Sequence, residues 1–144
     1  ITMDAALSHP PELIQKLIEE TKNYHIVTGS RFMKGGGMEA SFSRSFSSLM
    51  LNKVIGLILS IKLTDFTGGF HAMRRGIFET LEFKTKSNFG DFDMELIYRA
   101  HQKGYKMKEL PFVYEFRKEG TSKMTNLLSF GWQYIKKVII LRFS

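Results

Sequence analysis

Apolar residues recur along this chain at two spacings, one typical of helices and the other typical of strands. Helical spacing after a pair of prolines predicts an amphipathic helix that packs on a sheet and ends near Asn23. Aromatic residues at every second position within the stretch 105–117 predict a strand that begins at Pro111 and faces a core. The further expected helices cover residues 42–61, the stretch from the turn at 89–95 to Lys103, and residues 127–143, and the further expected strands cover residues 1–3 and 25–28. Helices and strands therefore alternate, as in α/β folds.

Glycine and charged residues change the interpretation of three segments, which are residues 29–44, the helix over 42–61 and the last helix. Residues 29–44 include the triple glycine at 35–37, which predicts a mobile loop without regular structure. The helix over 42–61 has one apolar side, but Lys53 lies near its middle. Because a spanning helix needs roughly 20 apolar residues, an interfacial helix or a core helix is expected. The last helix combines aliphatic residues with Trp132 and lysines, which predicts an amphipathic helix on a membrane surface or, alternatively, a dimer or partner interface.

The composition bounds the class of protein. A length of 144 residues and a hydrophobic content of 43% fit one domain, or part of one, with a real core. The absence of cysteine excludes disulfides, thiolate zinc sites and cysteine nucleophiles, and it is compatible with a reducing compartment. The four histidines show no metal-binding spacing such as HExxH. The chain opens into a strand without a basic and then apolar region, so no signal peptide is expected and the start is predicted to be internal.

Positive charge is concentrated in the last third of the chain. Residues 1–95 carry eleven lysines and arginines and eleven carboxylates, whereas residues 96–144 carry ten against three. The net charge of +7 therefore lies in the second segment. Such a block is typical of a solvated face, and it also suits lipid headgroups, a phosphorylated substrate or nucleic acid. Because no nucleic-acid-binding motif is recognisable, nucleic acid is not an expected partner.

Asp4 has the most informative position for chemistry. It follows the apolar residues 1–3 and precedes a helix that opens at Pro10, so it is expected at the carboxyl end of a strand. Ligands collect at the carboxyl ends of strands in open α/β sheets, which makes a lone carboxylate there a candidate binding group. A solvated loop aspartate is the alternative interpretation.

Four segments, in order along the chain, resemble segments of the polyprenyl-phosphate (dolichyl-phosphate) mannose synthases, a group of the family 2 glycosyltransferases. Residues 3–12, MDAALSHPPE, resemble MDADLxHPPE, and residues 29–37, GSRFMKGGG, resemble GSRxxxGGG. Residues 65–75, DFTGGFHAMRR, resemble DxTSGFRxxRR with Gly68 where serine is usual, and residues 117–123, RKEGTSK, resemble RxxGxSK. The resemblance covers nearly the whole chain. It implies a GT-A fold, which is a Rossmann-like sheet with flanking helices, with the N-terminal nucleotide-binding portion absent and amphipathic helices at the membrane side.

The resemblance implies a divalent cation, Mg²⁺ or Mn²⁺, on the diphosphate of a nucleotide sugar. In the family two aspartates at positions i and i+2 hold this cation, because both metals prefer hard oxygen ligands. Asp4 matches the first aspartate, and Ala6 stands at the position of the second. The cation is therefore expected on Asp4, with Ser8 as a further oxygen ligand. Weak cation binding, ligation by other oxygens and an inactivated enzyme are the alternatives that follow from the alanine.

The resemblance also implies phosphate-binding residues. Arg31 and Arg44 match two arginines that flank the loop closing over the family's active site, and a guanidinium group binds phosphate through a planar fork of donors. Arg117 and Lys123 bracket a glycine turn suited to gripping phosphate oxygens. The donor or acceptor phosphates are expected to contact Arg31, Arg44, Ser48, Arg117, Ser122 and Lys123, and the expected catalytic set is Asp4, Arg31, Arg44 and Arg117.

Three carboxylates are implied as ligands of the sugar. Asp65 lies in a turn beside small residues, where it can accept hydrogen bonds from sugar hydroxyls, although an Asx turn is the commoner role of such an aspartate. Asp93 and Glu95 lie in an acidic motif at the start of a helix, which the family directs towards the sugar. Acidic residues at a helix start are also expected on electrostatic grounds alone.

The implied activity is the inverting transfer of a hexose, in first place mannose from GDP-mannose, to polyprenyl or dolichyl phosphate at the cytoplasmic face of a membrane. The implied partners are the nucleotide sugar, the lipid phosphate, the membrane surface, and a small membrane subunit or a second copy of the chain. Residues 1–126 are expected to form the C-terminal part of the GT-A domain, and residues 127–144 a membrane-surface helix. An inactive or regulatory glycosyltransferase-like module and a polyprenyl-phosphate glucosyltransferase are the alternatives.

Overall fold

The computed structural model describes residues 10–38, 42–83, 91–114 and 127–143. Within these ranges the chain forms five strands and five α-helices, after a short 3-10 turn at Pro11–Leu13. The helices are α1 (Ile14–Glu20), α2 (Phe42–Leu59), α3 (Arg75–Glu79), α4 (Asp91–Gln102) and α5 (Leu127–Arg142). The strands are β1 (Ile26–Ser30), β2 (Gly37–Met38), β3 (His71–Met73), β4 (Met107–Pro111) and β5 (Val113–Tyr114).

β1 is the central strand of a three-stranded mixed sheet. It pairs antiparallel with β3 and parallel with β4. In this register Thr28 lies between His71 on one side and Glu109 on the other. Polar residues from three strands therefore meet near the carboxyl end of β1.

Helices cover both faces of this sheet. Successive side chains of a strand point to opposite faces, and the two apolar residues that open β1 pack in different clusters. Ile26 packs with Leu96 of α4, whereas Val27 packs with Leu17 of α1. All five residues of β1 are buried, as expected for a strand covered on both faces. The predicted α/β architecture is confirmed.

The glycine-rich segment is more regular than its composition predicts. Gly29 and Ser30 belong to β1, and β2 pairs in parallel with β5 in a separate two-stranded sheet. The N–H of Gly37 donates to the carbonyl of Phe112 at 3.0 Å. An irregular loop is therefore wrong at residues 29–30 and 37–38, because distant backbone groups supply hydrogen-bond partners that local composition does not reveal.

The strand that was expected to begin at Pro111 ends there instead. β4 runs as far as Pro111, and β5 begins after Phe112. Proline has no N–H for a ladder hydrogen bond, so it is tolerated at a strand end. The phase of the predicted alternation is right, because Phe112 is buried and Val113 is exposed.

The expected helices are confirmed with small shifts at their ends. α4 stops just before Gly104, whose φ of +74° provides the left-handed residue that commonly ends a helix. α2 stops two residues before the expected end at Ile61. Ser60 takes a left-handed φ of 59°, and the N–H of Ile61 donates back to the carbonyl of Gly56 at 3.1 Å, as in a Schellman cap.

α2 and α5 each bury one side and expose apolar residues on another. Ile55 and Val138 are fully buried in the cluster that surrounds Phe66. Phe42 and Leu57, by contrast, are 84% and 80% exposed. Trp132 and Ile140 are exposed on α5, and so is Phe143 directly after it. No helix within the described ranges is both long enough and apolar enough to cross a bilayer. α2 is thus partly a core helix, and contact of either helix with a membrane stays a prediction.

Candidate functional site

A buried charge lies just beyond the carboxyl end of β1. Thr28 and Ser30 are buried on the strand, and Arg31, which follows it directly, is only 7% exposed. A charge removed from water is costly unless it is paired and hydrogen-bonded. Arg31 therefore requires partners close at hand.

Asp65 holds the Arg31 guanidinium through a forked ion pair. Nε of Arg31 donates to Oδ2 at 2.8 Å, and Nη2 donates to Oδ1 at 3.0 Å. The backbone N–H of Arg31 donates to the same carboxylate at 3.1 Å. The guanidinium also lies over the rings of Phe32 and Tyr114, at 4.9 Å and 5.6 Å. Because bidentate charged pairs are strong and directional, Arg31 is fixed in place.

Thr67 and Asn52 connect this pair to α2. Nη2 of Arg31 donates to Oγ1 of Thr67 at 2.8 Å. The Thr67 N–H donates to Oδ1 of Asp65 at 3.1 Å, which is the Asx turn left open as an alternative for this aspartate. Asn52 is buried in α2, donates to Oγ1 of Thr67 at 3.2 Å and accepts from the N–H of Phe66 at 2.6 Å. The turn 64–67 is thus fastened to both β1 and α2.

Glu109 of β4 fastens the same turn from the other side. Its carboxylate accepts from the N–H of Thr64 at 3.0 Å and from the Thr64 hydroxyl at 2.7 Å. It also accepts from the N–H of Asp65 at 3.2 Å. Burial raises the pKa of Glu109 and the nearby Asp65 carboxylate adds to the rise, while the bonds from Thr64 and Asp65 lower it. The net pKa is above the ordinary value of 4.5.

The raised pKa makes a pH dependence of stability testable. The folded chain holds the Glu109 proton at higher pH than the unfolded chain, so this contribution is present below the unfolded pKa and is lost as pH rises through the folded pKa. We expect the free energy of unfolding of wild type, minus that of Glu109→Gln, to fall as pH rises above the ordinary pKa of 4.5 and through the raised pKa of the folded chain. Urea unfolding at several pH values measures this difference.

The exposed Glu79 offers a matched control for that titration. Its side chain is 62% exposed, and within the described ranges its ion-pair partner is the exposed Arg75. Glu79→Gln should therefore give a stability difference from wild type that varies little with pH. Curves for wild type and Glu109→Gln that stay parallel would contradict the role given to Glu109.

His71 forms a second buried polar group beside the first. Its side chain joins Thr28 of β1 to Asp93 of α4, with Nδ1 2.8 Å from Oγ1 and Nε2 2.9 Å from Oδ1. His71 is fully buried, whereas the Asp93 side chain is 16% exposed. The carboxylate of Asp93 is therefore anchored at one oxygen, and its side chain stays partly exposed.

The other predicted site residues lie in different surroundings. Glu95 is buried and accepts from Nε of Arg99 at 3.3 Å. Its carboxylate is therefore paired within α4, whereas that of Asp93 is bound by His71 of β3. Ser48 meets the network through its carbonyl, which accepts from Nδ2 of Asn52 at 2.8 Å. Arg44 is half-buried near the start of α2. Contacts of Asp65, Asp93 and Glu95 with a sugar, and of Arg31, Arg44 and Ser48 with phosphate, stay predictions.

The remaining predicted residues lie outside the described ranges. These are Asp4, Ala6, Ser8, Arg117, Ser122 and Lys123. Among the residues that the structure does describe, no group of three or more histidine or carboxylate side chains is arranged to hold a metal ion. The proposed cation site is therefore not tested by this geometry.

Three residues of the network were missed by sequence reasoning. Asn52 is a polar residue in the middle of an apolar helix, and this interruption was a usable signal. Glu109 looked like one carboxylate within an alternating strand. His71 lacks a metal-binding spacing, so the histidines were set aside before its pairing with Asp93 was visible.

The chain is homologous to polyprenyl-phosphate mannosyltransferases, which confirms the resemblance that its motifs carry. It is 33% identical to the dolichol-phosphate mannosyltransferase of Pyrococcus furiosus, over 96% of this chain and 39% of the relative. It is 30% identical to the undecaprenyl-phosphate mannosyltransferase of Micrococcus luteus, over 87% and 52%. It is 29% identical to the polyprenol monophosphomannose synthase of Mycolicibacterium smegmatis, over 87% and 48%.

This chain spans only about two fifths to one half of the length of these curated relatives. No protein-family model matches the sequence. The relatives' names describe mannosyl transfer involving dolichol, undecaprenyl or polyprenol phosphates, and those activities belong to the relatives as whole proteins.

Proposed function

We propose that this chain is part of a GT-A glycosyltransferase that transfers mannose from GDP-mannose to a polyprenyl or dolichyl phosphate, with inversion, at the cytoplasmic face of a membrane. The similarity to three mannosyltransferases over 87–96% of the chain carries the proposal. The mixed α/β sheet with a fixed arginine at the carboxyl end of its central strand supports it, since ligands of open α/β sheets collect there.

The proposed reaction is a direct displacement at the anomeric carbon of mannose. An oxygen of the acceptor phosphate forms the new bond, and the bond to the departing GDP breaks. A phosphate monoester has a second pKa of about 6, so the acceptor arrives largely as an anion and needs little help from a general base. The main demand on the protein is stabilisation of the negative charge that builds on the leaving diphosphate.

Arginines suit that demand because their charge persists and their donors match phosphate geometry. Arg31 is proposed to act from the position that Asp65, Thr67 and the ring of Phe32 give it. A preorganised cation does not have to reorganise while charge develops, which is the basis of electrostatic catalysis. Arg44 and Arg117 are proposed to contribute further phosphate contacts.

A divalent cation, Mg²⁺ or Mn²⁺, completes the proposed site by neutralising diphosphate charge when it is bound. The carboxylate of Asp4 and the hydroxyl of Ser8 are hard oxygen donors that suit either metal. Ala6 offers no donor atom. The donor set therefore fits the cation with one ligand fewer than the resembled motif.

Membrane contact is proposed through the exposed apolar residues of α2 and α5 and through Phe143, which directly follows α5. Phe42 and Phe143 are 84% and 85% exposed, and an apolar surface of this kind suits the boundary of a bilayer. Lys136 lies over the ring of Trp132, with Nζ 5.5 Å from the centroid. A basic and aromatic pair of this type suits anionic headgroups, in agreement with the basic last third of the chain.

Transfer of labelled mannose from GDP-mannose to a short polyprenyl phosphate, with Mn²⁺ and detergent, tests this proposal. The full-length protein is compared with its Ala6→Asp variant, and Mn²⁺ binding is titrated in parallel. We expect Ala6→Asp to raise Mn²⁺ affinity and turnover by roughly a factor of ten or more, because affinity follows the number of charged ligands. Ala5→Asp is the matched control, since it adds the same charge without restoring the i, i+2 spacing.

Each outcome of the transfer assay has a distinct meaning. Transfer by both proteins shows that one aspartate suffices, and transfer only after Ala6→Asp marks Ala6 as an inactivating residue. Equal Mn²⁺ affinity in the two proteins rejects the claim that Ala6 weakens cation binding by removing a carboxylate ligand. Transfer from a nucleotide glucose alone supports the glucosyltransferase alternative. Failure of both proteins to bind any nucleotide sugar supports a non-catalytic module.

A further inference from the structure

His71 is a fully buried histidine whose two ring nitrogens both have hydrogen-bond partners. Nδ1 lies 2.8 Å from Oγ1 of Thr28, and Nε2 lies 2.9 Å from Oδ1 of Asp93. The ring thereby joins two strands to the first turn of α4. Nothing in the proposed chemistry around Arg31 requires a histidine at this place.

The distances around Thr28 indicate how the protons are shared. Oγ1 of Thr28 lies 3.4 Å from the carbonyl oxygens of Gly29 and Phe70, which is too long for a good hydroxyl hydrogen bond. The hydroxyl proton is better used on Nδ1 of His71 at 2.8 Å. Nε2 is then assigned a proton and donates a hydrogen bond to Asp93, because an ionised carboxylate can only accept.

Through His71, Asp93 of α4 is linked to Thr28 of β1, the strand after which Arg31 follows. His71 pairs with Thr28 in the sheet register. Arg31 comes three residues after Thr28 and directly follows the end of β1. The Asp93 side chain keeps 16% of its exposure, while the ring that holds it keeps 1%. One oxygen of the carboxylate is therefore anchored by His71, while the side chain keeps partial contact with solvent.

We propose that His71 is a positioning residue that orients the Asp93 carboxylate to accept a hydrogen bond from a hydroxyl of the donor hexose. The inference rests on the proposed function, because it assigns the open side of Asp93 to the sugar rather than to the nucleotide. A carboxylate with one oxygen bound by Nε2–H presents its second oxygen in a defined direction. Thr28 holds the imidazole ring through its hydrogen bond to Nδ1. Such supporting hydrogen bonds keep a binding side chain in the orientation that its ligand requires.

Two substitutions separate the two bonds of His71. In His71→Gln the side-chain amide reaches the place of Nε2 and can still donate to Asp93, whereas in His71→Asn the shorter amide reaches only the place of Nδ1. His101 is exposed at the end of α4, and His101→Asn is the matched control. Binding of GDP-mannose and of GDP to each full-length protein is measured by titration calorimetry, and the imidazole nitrogens are observed by ¹⁵N NMR.

We expect His71→Asn to weaken GDP-mannose binding about tenfold, because the displaced Asp93 carboxylate loses its hydrogen bond to the hexose. GDP has no hexose, so its binding should weaken less than about twofold. His71→Gln should retain most of the wild-type affinity for GDP-mannose. In the wild-type spectrum Nε2 of His71 should carry a proton whose resonance shifts in Asp93→Asn. His101→Asn should match wild type in every measurement.

Three results would overturn the inference. Equal weakening of GDP and GDP-mannose by His71→Asn would show a general structural role. A spectrum in which Nε2 of His71 lacks its proton would refute the donation to Asp93, even in a protein without transfer activity. Binding of neither nucleotide by the wild type would refute the proposed function, and with it the sugar contact of Asp93, while leaving the NMR result to decide the His71–Asp93 bond.

Discussion

Replacing Asp65 by alanine is expected to lower the free energy of unfolding by about 3–5 kcal/mol, the usual cost of breaking a buried ion pair by removing one partner. The Arg31 guanidinium would lose both bonds of its fork while staying in the interior. The N–H groups of Arg31 and Thr67 would lose their acceptor as well. Urea unfolding followed by circular dichroism measures the loss.

The double variant Arg31→Met, Asp65→Ala isolates the cause of that loss. Methionine fills much of the arginine's space without a charge, so the double variant should be more stable than Asp65→Ala alone. Glu79→Ala removes one member of an exposed ion pair and should change stability little. A double variant that is less stable than Asp65→Ala would contradict an uncompensated charge as the cause. The result also bears on function, because it separates the folding role of Asp65 from any contact with a sugar.

Replacing Phe66 by alanine is expected to cost about 3–5 kcal/mol, as is typical when a buried aromatic side chain leaves a cavity. Phe66 is fully buried in the cluster that joins α2, α4 and α5. Its backbone N–H donates to Oδ1 of Asn52 at 2.6 Å, and alanine keeps this bond. The loss therefore reports packing rather than hydrogen bonding, and urea unfolding measures it.

Phe78 provides the matched control for Phe66. It is 41% exposed on α3, so Phe78→Ala removes the same atoms from a site that water already reaches. We expect a much smaller loss than for Phe66→Ala. A similar loss for both variants would show that the cluster around Phe66 is looser than its burial indicates. If Phe66→Ala also weakens nucleotide binding, the packing beneath the turn 64–67 maintains the position of Asp65.

The sequence predicted those elements whose signals are local. The extent of α4 followed from its acidic start and from the glycine at position 104, and both the helix and its left-handed cap are present. The course of β1 was underestimated, because glycine at position 29 was taken as the start of a loop. In the folded chain a Cβ on Gly29 would lie 2.7 Å from the ring of Phe112, so close packing between strands explains this glycine.

The site was predicted only in part, because its contacts join distant segments. Arg31 and Asp65 were both selected as functional residues, but their pairing with each other depends on how the turn 64–67 meets β1. Asn52 and Glu109 were not selected. The interruption that Asn52 makes in an apolar helix was overlooked, and Glu109 has no local pattern that marks a polar anchor. Buried polar groups must find partners, but the partner's identity is decided by the tertiary fold.

The position of β1 at the centre of the sheet governs the order in which the site can assemble. Its partners come from far along the chain. Thr28 and His71 are 43 residues apart, and His25 and Lys106, which directly precede β1 and β4, are 81 residues apart. Closing such long loops costs entropy before the contacts repay it, so sheets of this kind form late and slowly. Helices α2 and α4 have only local requirements by comparison. A partly folded chain can therefore contain helices while the place where Arg31, Asp65 and Glu109 meet does not yet exist.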